Sequence, residues 1–479
     1  MTRIAACLAL ALVLAVGCRR APTPPVAVPV LNPSSQPLKF RNHNLVFISF
    51  DALQAAHVGH LGCSRDVTPT LDALARNGYT FTRAYSVASW TVPASMTWFT
   101  GVYPSEHRVV NKFAEHTARV KKPANLKELA PNLGTLAEVL RWNGYSTAGF
   151  TGNAGVSGGF GYQQGFDVYD HPPGVFAGFS QSVPKALHWL ATNKDKRFFL
   201  FLHGYDAHGQ NTPARGFDYR FVESGYDRRY TGAEVEQEAL REEGIERGFL
   251  TLRDADVRFW RAVYDEKVQR ADAKLRHFLT EFDKLGLTDN TLFVVTSDHG
   301  TELAEHRRLD HGFTLYDETI RVPLIIKPPQ AVSLRIDHRV SSIDLMPTVL
   351  DLLDVQIPEV IRNQMRGNSL TPALRGEVVS RDLFAETDYR QHTYKRSIID
   401  PNGWKLIYTL ESKTRELYDT AKDPGETKNL APTHSEQVDD LERRLFAHFK
   451  AIGHDLTARN WEPGFNPVYT FPAKPSPRE

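Results

Sequence analysis

Cysteine is scarce in this chain: there are three in 479 residues, Cys7, Cys18 and Cys63. Two of them fall in an N-terminal segment that reads as a removable leader. Only Cys63 then remains in the body, so no intrachain disulfide can brace the fold and stability must come from packing. An excess of either charge is also missing. Fifty-seven Lys and Arg face 56 Asp and Glu, a formal net charge of +1, and no bulk field points to nucleic acid. No internal repeat is evident. The apolar run inside "MTRIAACLALALVLAVGC" is too short to read with confidence as a spanning helix. What remains is ordinary for a soluble globular chain: 41% hydrophobic and 24% charged residues, with ample length for a buried core and for a large domain plus a smaller one.

The leader reading rests on Arg3, the apolar run after it and the small residues that precede Cys18. A cysteine directly after "AVG" resembles a bacterial lipoprotein processing site, which makes Cys18 the lipidated first residue. A plain secretory signal with an incidental cysteine is the other reading. Residues 19–39 are rich in Pro and Ser and lack helical periodicity, as a solvated linker would. The expectation is therefore a leader over 1–17, a lipidated cysteine and linker over 18–40, and a body held at the bacterial cell envelope, periplasm-facing or at the cell surface.

From residue 44 the pattern becomes strand then helix, repeatedly. "NLVFISF" ends at Asp51, "RFFLFLH" ends in His203, and "NTLFVVTSDHG" contains Asp298 and His299. Between them lie helical stretches over 68–78, around 133–143 and over 263–286. Apolar runs alternating with helices predict an α/β fold whose mainly parallel sheet is flanked by helices on both faces. Ligands of such sheets sit beyond the carboxyl ends of the strands. Asp51, His203, Asp206, His208, Asp298 and His299 all fall there. The charged segment 214–262 interrupts the alternation and reads as a solvated surface insertion. After residue 375 the texture shifts to antiparallel strands with turns at "DPNG" and "ESKT", followed by a helix. This predicts a small C-terminal α+β subdomain over 376–479, after a catalytic domain over 41–375.

Asp51 and the Asp298–His299 pair end different strands, and each Asp alone would suit a helix cap. Together they offer oxygen and imidazole ligands to one divalent cation: Ca, Mn or Zn, with the imidazole shifting preference toward Mn or Zn. Thr91 precedes Pro93, which fits the first turn of a helix. A hydroxyl at a helix N-terminus lies where free amides favour an anion, and it can be metal-bound and aimed at tetrahedral sulfur or phosphorus. The bland alternative is a capping threonine. "HGYDAH" supplies His203 and His208, and "LDHGF" supplies His311, as candidates to protonate a leaving group or bind an oxyanion. Asp206, His208 and His311 could hold a second cation, the less favoured arrangement.

In order along the chain, "NLVFISFDALQAAHVGHLG", "TVPASMTWFTGVYPSEHRV", "TSDHGTELAEH", "TLYDETIRVPLIIKPP", "SSIDLMPTVLDLLDV" and "RELYDTAKDPGETKNLA" resemble the sulfatase family within the alkaline phosphatase superfamily. The resemblance implies an alkaline phosphatase-like fold and hydrolysis of an ester. It implies Asp51, Asp298, His299 and Thr91 at the metal, Thr91 as nucleophile, and His208 near the leaving group. It places His311 where many sulfatases have a substrate-binding lysine, and His203 and Asn153 at the substrate. Several positions depart from the family pattern. Ala52 stands for a second aspartate, Ser95 for the arginine after the nucleophile, and "FTGNAG" for a Gly-Lys-Trp-His segment. Sulfatases oxidise their Cys or Ser to formylglycine, whereas oxidation of a threonine gives a ketone.

Three readings follow. An unmodified threonine nucleophile resembles the phosphodiesterase branches of the superfamily and favours phosphodiesters or phosphonates. A sulfate ester hydrolase with an altered mechanism is the second. The third is a catalytically degenerate lipoprotein that binds sulfated or phosphorylated glycans. The substrate is a small-molecule or glycan ester in the first two, and nucleic acid is expected in none.

Overall fold

Strand β1 (Asn44–Phe50) is apolar along its length because both of its faces are covered. Leu45 and Phe47 enter one hydrophobic core, and Val46 and Ile48 enter another. A computed structural model describes residues 38–110, 129–130, 132–170, 176–209, 217–389 and 393–458. The leader, Cys18 and most of the linker lie outside the described residues. The remaining strands of the body are β2 (Tyr79–Tyr85), β3 (Ser146–Phe150), β4 (Val168–Asp170), β5 (Phe198–Gly204), β6 (Thr291–Ser297), β7 (Glu302–Leu303), β8 (Leu309–Asp310), β9 (Arg321–Lys327) and β10 (Leu334–Ser341). Eight of them form one sheet in the order β10-β2-β9-β6-β1-β5-β3-β4, while β7 and β8 pair as a separate two-residue hairpin. The large sheet is parallel except for β9, which runs antiparallel to both β2 and β6.

One face carries the helices Thr91–Thr100, Leu136–Trp142 and Leu345–Leu352. The other carries Pro69–Arg76, Phe179–Asn193 and the 31-residue helix Asp254–Lys284. The last of these buries Phe259, Val263, Leu275, Phe278 and Phe282, a stripe at helical spacing. Strand β1 pairs with β5 on one side and β6 on the other, in a register that sets Ser49 level with both His203 and Thr296. The carboxyl ends of three adjacent strands therefore deliver Asp51, His203 and Asp298 to one place.

Two expectations are corrected. The linker stops short of residue 38: Leu38 and Phe40 are buried in the core, Phe40 N–H donates to Leu352 O, and Lys39 pairs with Asp351. Nor is the segment 214–262 wholly a solvated insertion. Most of its described residues are at least partly exposed, but it contains the helix Glu234–Arg247 and the opening turns of Asp254–Lys284, and two of its charges turn inward. The buried Asp256 accepts from Arg229, Arg253 and Tyr226, and Arg241 is buried against Asp310.

The C-terminal strands β11 (Leu383–Thr387), β12 (Lys395–Ile399), β13 (Trp404–Thr409) and β14 (Thr414–Asp419) form an antiparallel meander. The helix Ser435–Ala451 packs on it through Val438, Leu441, Leu445 and Phe449. Lys405, fully buried on β13, pins this sheet to the body through Asp317 at 2.9 Å, and also pairs within the subdomain with Glu426 at 2.8 Å.

Replacing Phe40 by Ala is expected to cost about 3 kcal/mol through the cavity it leaves, read as a lower urea midpoint. A second expectation concerns pH. Burial holds His107, His448 and His454 neutral, each with its pKa lowered to about 3. His107 Nδ1 accepts from Val109 N, and its Nε2–H faces Pro93 O. The unfolded imidazoles titrate near 6.5. Below that pH the unfolded chain takes up protons that the native state refuses, so stability is complete above about 6.5 and falls as pH drops toward 3. The urea midpoint should be lower at pH 5 than at pH 7.5, and His107→Gln should shrink that difference.

Candidate active site

The site grows from three strand ends and one helix start. Asp51 follows β1 with no exposed surface, and Asp298 and His299 follow β6, equally buried. After Asp51 the chain turns sharply at Ala52, φ +56°, which aims Ala52 N–H at Asp298 Oδ1, 3.1 Å away. His299 N–H donates to the same oxygen at 2.9 Å. Ser297 staples the two strand ends together. Its hydroxyl lies 2.8 Å from Phe50 O and 2.7 Å from His299 O, and it accepts from Leu53 N.

Thr91 is the first residue of the helix Thr91–Thr100, which ends at Gly101 in the left-handed region, φ +67°. Trp90, fully extended, turns the chain into the helix so that Thr91 faces the strand ends. The Thr91 hydroxyl donates to Asp51 Oδ2 at 3.0 Å and lies 3.3 Å from His299 Nε2. His299 Nδ1–H donates to Gly300 O at 2.7 Å, which leaves the Nε2 lone pair facing the site. Burial lowers the His299 pKa to about 4, with Asp298 acting the other way. Ligand atoms of Asp51, Asp298 and His299 lie within 4.8 Å of one another. Asp298 Oδ2 has no hydrogen-bond partner among the described residues. Two buried carboxylates and a neutral imidazole fit a divalent cation.

The remaining histidines surround this group. His208 Nε2 is 3.7 Å from Asp51 Oδ1, its ring stacked on Phe176 at 4.5 Å. The His311 ring lies 4.9 Å from that of His208 and 4.3 Å from that of His299. His203 Nε2 is 3.8 Å from Asp51 Oδ2; the ring is fully buried, and burial lowers its pKa to about 4. Asn153 heads the loop that covers Thr91. Its backbone carbonyl accepts from Tyr205 OH, which in turn accepts from Gly155 N. Gly155 lies against the nucleophile position: a Cβ there would sit 2.8 Å from Thr91 Cβ.

The structure brings Asp51, Thr91, His203, His208, Asp298, His299 and His311 together and leaves out Asp206. Asp206 Oδ2 accepts from Phe179 N at the start of the helix Phe179–Asn193, and Oδ1 pairs with Lys274 at 2.5 Å. Its oxygens are engaged as a helix cap, so the two-metal arrangement with His208 and His311 loses its carboxylate. Three contributors carried no readable signal. Ser297 is one serine in a strand. Gly155 matters only through what packs on it. Arg241, on the helix Glu234–Arg247, reaches Asp310 Oδ2 at 3.5 Å, while Asp310 Oδ1 lies 2.6 Å from His311 Nδ1. Asp310 adopts φ +85° to make this contact, and the charges of His311 and Arg241 hold its carboxyl well below the usual range against the opposing effect of burial.

Comparison with known proteins identifies the family. A family profile described as Sulfatase matches residues 43–355, and one described as N-sulphoglucosamine sulphohydrolase, C-terminal, matches residues 304–452. A Delta 4,5-hexuronate-2-O-sulfatase of Bacteroides thetaiotaomicron is 31% identical over 196 residues, 37% of this chain and 40% of that protein. The multifunctional alkaline phosphatase superfamily protein PehA of Trinickia caryophylli is 24% identical over 520 residues, 87% of this chain and 99% of that protein. The solved phosphonate monoester hydrolase of Silicibacter pomeroyi superposes with a TM-score of 0.66 at 21% identity, covering 87% of this chain and 97% of that one. With strand ends, helix start and family profile in agreement, the chain belongs to the sulfatase family and has the fold of the alkaline phosphatase superfamily.

Proposed function

We propose that this chain is a metal-dependent hydrolase of sulfate- or phosphate-type esters, with Thr91 as its nucleophile and with phosphodiesters or phosphonates favoured over sulfate esters. The observation that carries the reading is the Thr91 hydroxyl, which lies at a helix N-terminus between Asp51 Oδ2 and His299 Nε2. Asp51, Asp298 and His299 would hold the divalent cation, with Thr91 beside them. When bound, that cation supplies positive charge to the transferred group and lowers the pKa of a neighbouring hydroxyl. The chain's own residues do the rest. Asp51 Oδ2 receives the Thr91 proton as Oγ1 attacks sulfur or phosphorus. The free amides at the helix start face the anionic group. His208 or His311 hands a proton to the departing oxygen, and the Arg241–Asp310 pair fixes the His311 ring for that task. Water then breaks the bond from Thr91 Oγ1 to sulfur or phosphorus, and the threonine is regenerated.

The preference for phosphorus follows from Thr91 itself. A formylglycine hydrate expels sulfate through its second hydroxyl, and an unmodified threonine has none. The relatives act, by their names, on a sulfated hexuronate or on phosphonate monoesters, which supports an ester of a sugar or small molecule. The Cys18 processing site supports lipid anchoring at the cell envelope.

A second reading, a degenerate site that binds sulfated or phosphorylated glycans, draws on Ala52 and Ser95. Both are buried, and neither supplies the charge that the family has at those places.

A panel of aryl sulfate, phosphate, phosphodiester and phosphonate, with Mn or Zn added, separates the readings. Turnover of the phosphodiester or phosphonate is expected. Thr91→Ala should lower it roughly a thousandfold or more, while Thr91→Ser should keep most of it. Equal rates in wild type and Thr91→Ala would remove the nucleophile assignment, and no turnover with any member would favour the binding protein. Arg241→Ala should shift the acid limb of the pH–rate profile with little change in KM, because it loosens Asp310 and His311 without touching substrate.

A further inference from the structure

A second group of metal-ligand side chains lies outside the site just described. Glu302 follows His299 by three residues, on the short strand β7, and is completely buried. Neither of its carboxylate oxygens has a hydrogen-bond partner among the described residues. Ligand atoms of Glu302, His306 and Glu318 all lie within 4.8 Å of one another. We propose that Glu302, His306 and Glu318 form a structural site for a second first-row divalent cation, zinc or manganese, at the seam between the sheet body and the C-terminal subdomain.

The orientation of His306 supports this. Its Nε2–H donates to the backbone carbonyl of Glu426 at 3.0 Å. A backbone carbonyl on the far ring nitrogen is the usual partner of a metal-bound imidazole, because it fixes the tautomer and the ring plane. The ring is also held flat against Tyr316, with centroids 3.6 Å apart and planes 12° apart. Nδ1 is thereby turned toward Glu318 Oε1, which it contacts directly. Against the lowering effect of burial, this contact with Glu318 raises the His306 pKa to about 9, so the metal-free ring carries a proton there that a bound cation would displace.

Charge points the same way. Glu302, Glu305 and Glu318 crowd this corner, with Glu426 beside them. Lys405 is occupied by Asp317 and Glu426, and Lys395 Nζ by Thr409 Oγ1. Among the described residues no ion pair reaches Glu302, although the charges of Arg308 and His306 act on it, and a buried carboxylate without a direct partner costs several kcal/mol to ionise. One imidazole and two carboxylates suit zinc or manganese; calcium, an oxygen-seeking ion, is disfavoured by the imidazole. A cation here would tie β7 and the stretch before β9 to Glu426, and so fasten the C-terminal subdomain to the segment that carries Asp298 and His299. The alternative is a proton shared among Glu302, Glu318 and His306, and it predicts the opposite response to a single substitution.

The test uses the full chain stripped with a chelator and titrated with zinc alone, reading bound equivalents by elemental analysis and the thermal midpoint. Glu302→Gln, which is isosteric and neutral, should bind one equivalent fewer than wild type and lose the part of the zinc-induced rise in Tm that Asp298→Asn retains. Metal-free Glu302→Gln should be no less stable than metal-free wild type, because the amide is a neutral isostere of a carboxyl whose pKa burial and the Glu318 charge push up to about 8. His306→Gln should give the same loss of one equivalent, which keeps the test decisive if Glu302→Gln does not fold. Zinc stoichiometry and Tm shift equal to wild type in the variants that fold would overturn the site and assign the cluster to a shared proton.

Discussion

The carboxylate of Asp51 is the fixed point of this fold's chemistry. It ends the central strand β1 with no exposed surface and is flanked by Thr91 Oγ1, His203 Nε2 and His208 Nε2. Asp298 ends the neighbouring strand at the same depth. Burial keeps His203 and His299 neutral, so neither offsets these two negative charges. Charge in a low-dielectric interior demands a partner. The surrounding structure reads as a set of restraints on that arrangement. Ser297 staples the strand ends, the left-handed turn at Ala52 directs an amide at Asp298, and Gly155 allows the covering loop to reach Thr91.

The same depth explains why the histidines differ in character. His203, level with Ser49 inside the sheet, contacts Asp51 from behind and is sealed by Tyr205. His208 and His311 lie further out and are held by neighbours of another kind, the ring of Phe176 for one and Asp310 for the other. An imidazole locked by a carboxylate presents its second nitrogen in a fixed direction, as a proton donor requires. That carboxylate is positioned in turn by Arg241, from a helix that joins the body only through a few buried residues.

The strand ends were legible because the central strands are buried on both faces and end abruptly in Asp or His. Burial on both faces leaves an apolar run that cannot be confused with an amphipathic helix of the same length. Direction was not legible. β9 is as apolar as its parallel neighbours, and nothing in "RVPLIIK" marks it as antiparallel. The described residues of the charged segment 214–262 are mostly exposed at least in part, as its composition suggests, but composition does not report which charges turn inward. Arg241 is buried against Asp310, remote in sequence, and Asp256 against both the neighbouring Arg253 and the more distant Arg229. Asp206 misleads through its place beyond a strand end, where the ligands also fall, yet the turn there sends its carboxylate to a helix start.

The identity of residue 91 bears on the chemistry beyond the presence of a hydroxyl. Formylglycine acts through two oxygens on one carbon, the second of which expels the bound group. In Thr91 the second substituent is a methyl group, and it is spoken for: the position a Cβ of residue 155 would take lies 2.8 Å from both Thr91 Cβ and Cγ2. The covering loop therefore packs on carbon where a second oxygen would stand, and the hydroxyl keeps one direction, toward Asp51. With Thr91 as nucleophile, release of the bound group requires a water molecule opposite the threonine oxygen, the position the leaving group has just vacated. A residue that protonates the leaving oxygen is well placed to take a proton from that water. Phosphoryl groups tolerate such a double displacement at one centre, which is why the proposed reading favours phosphorus.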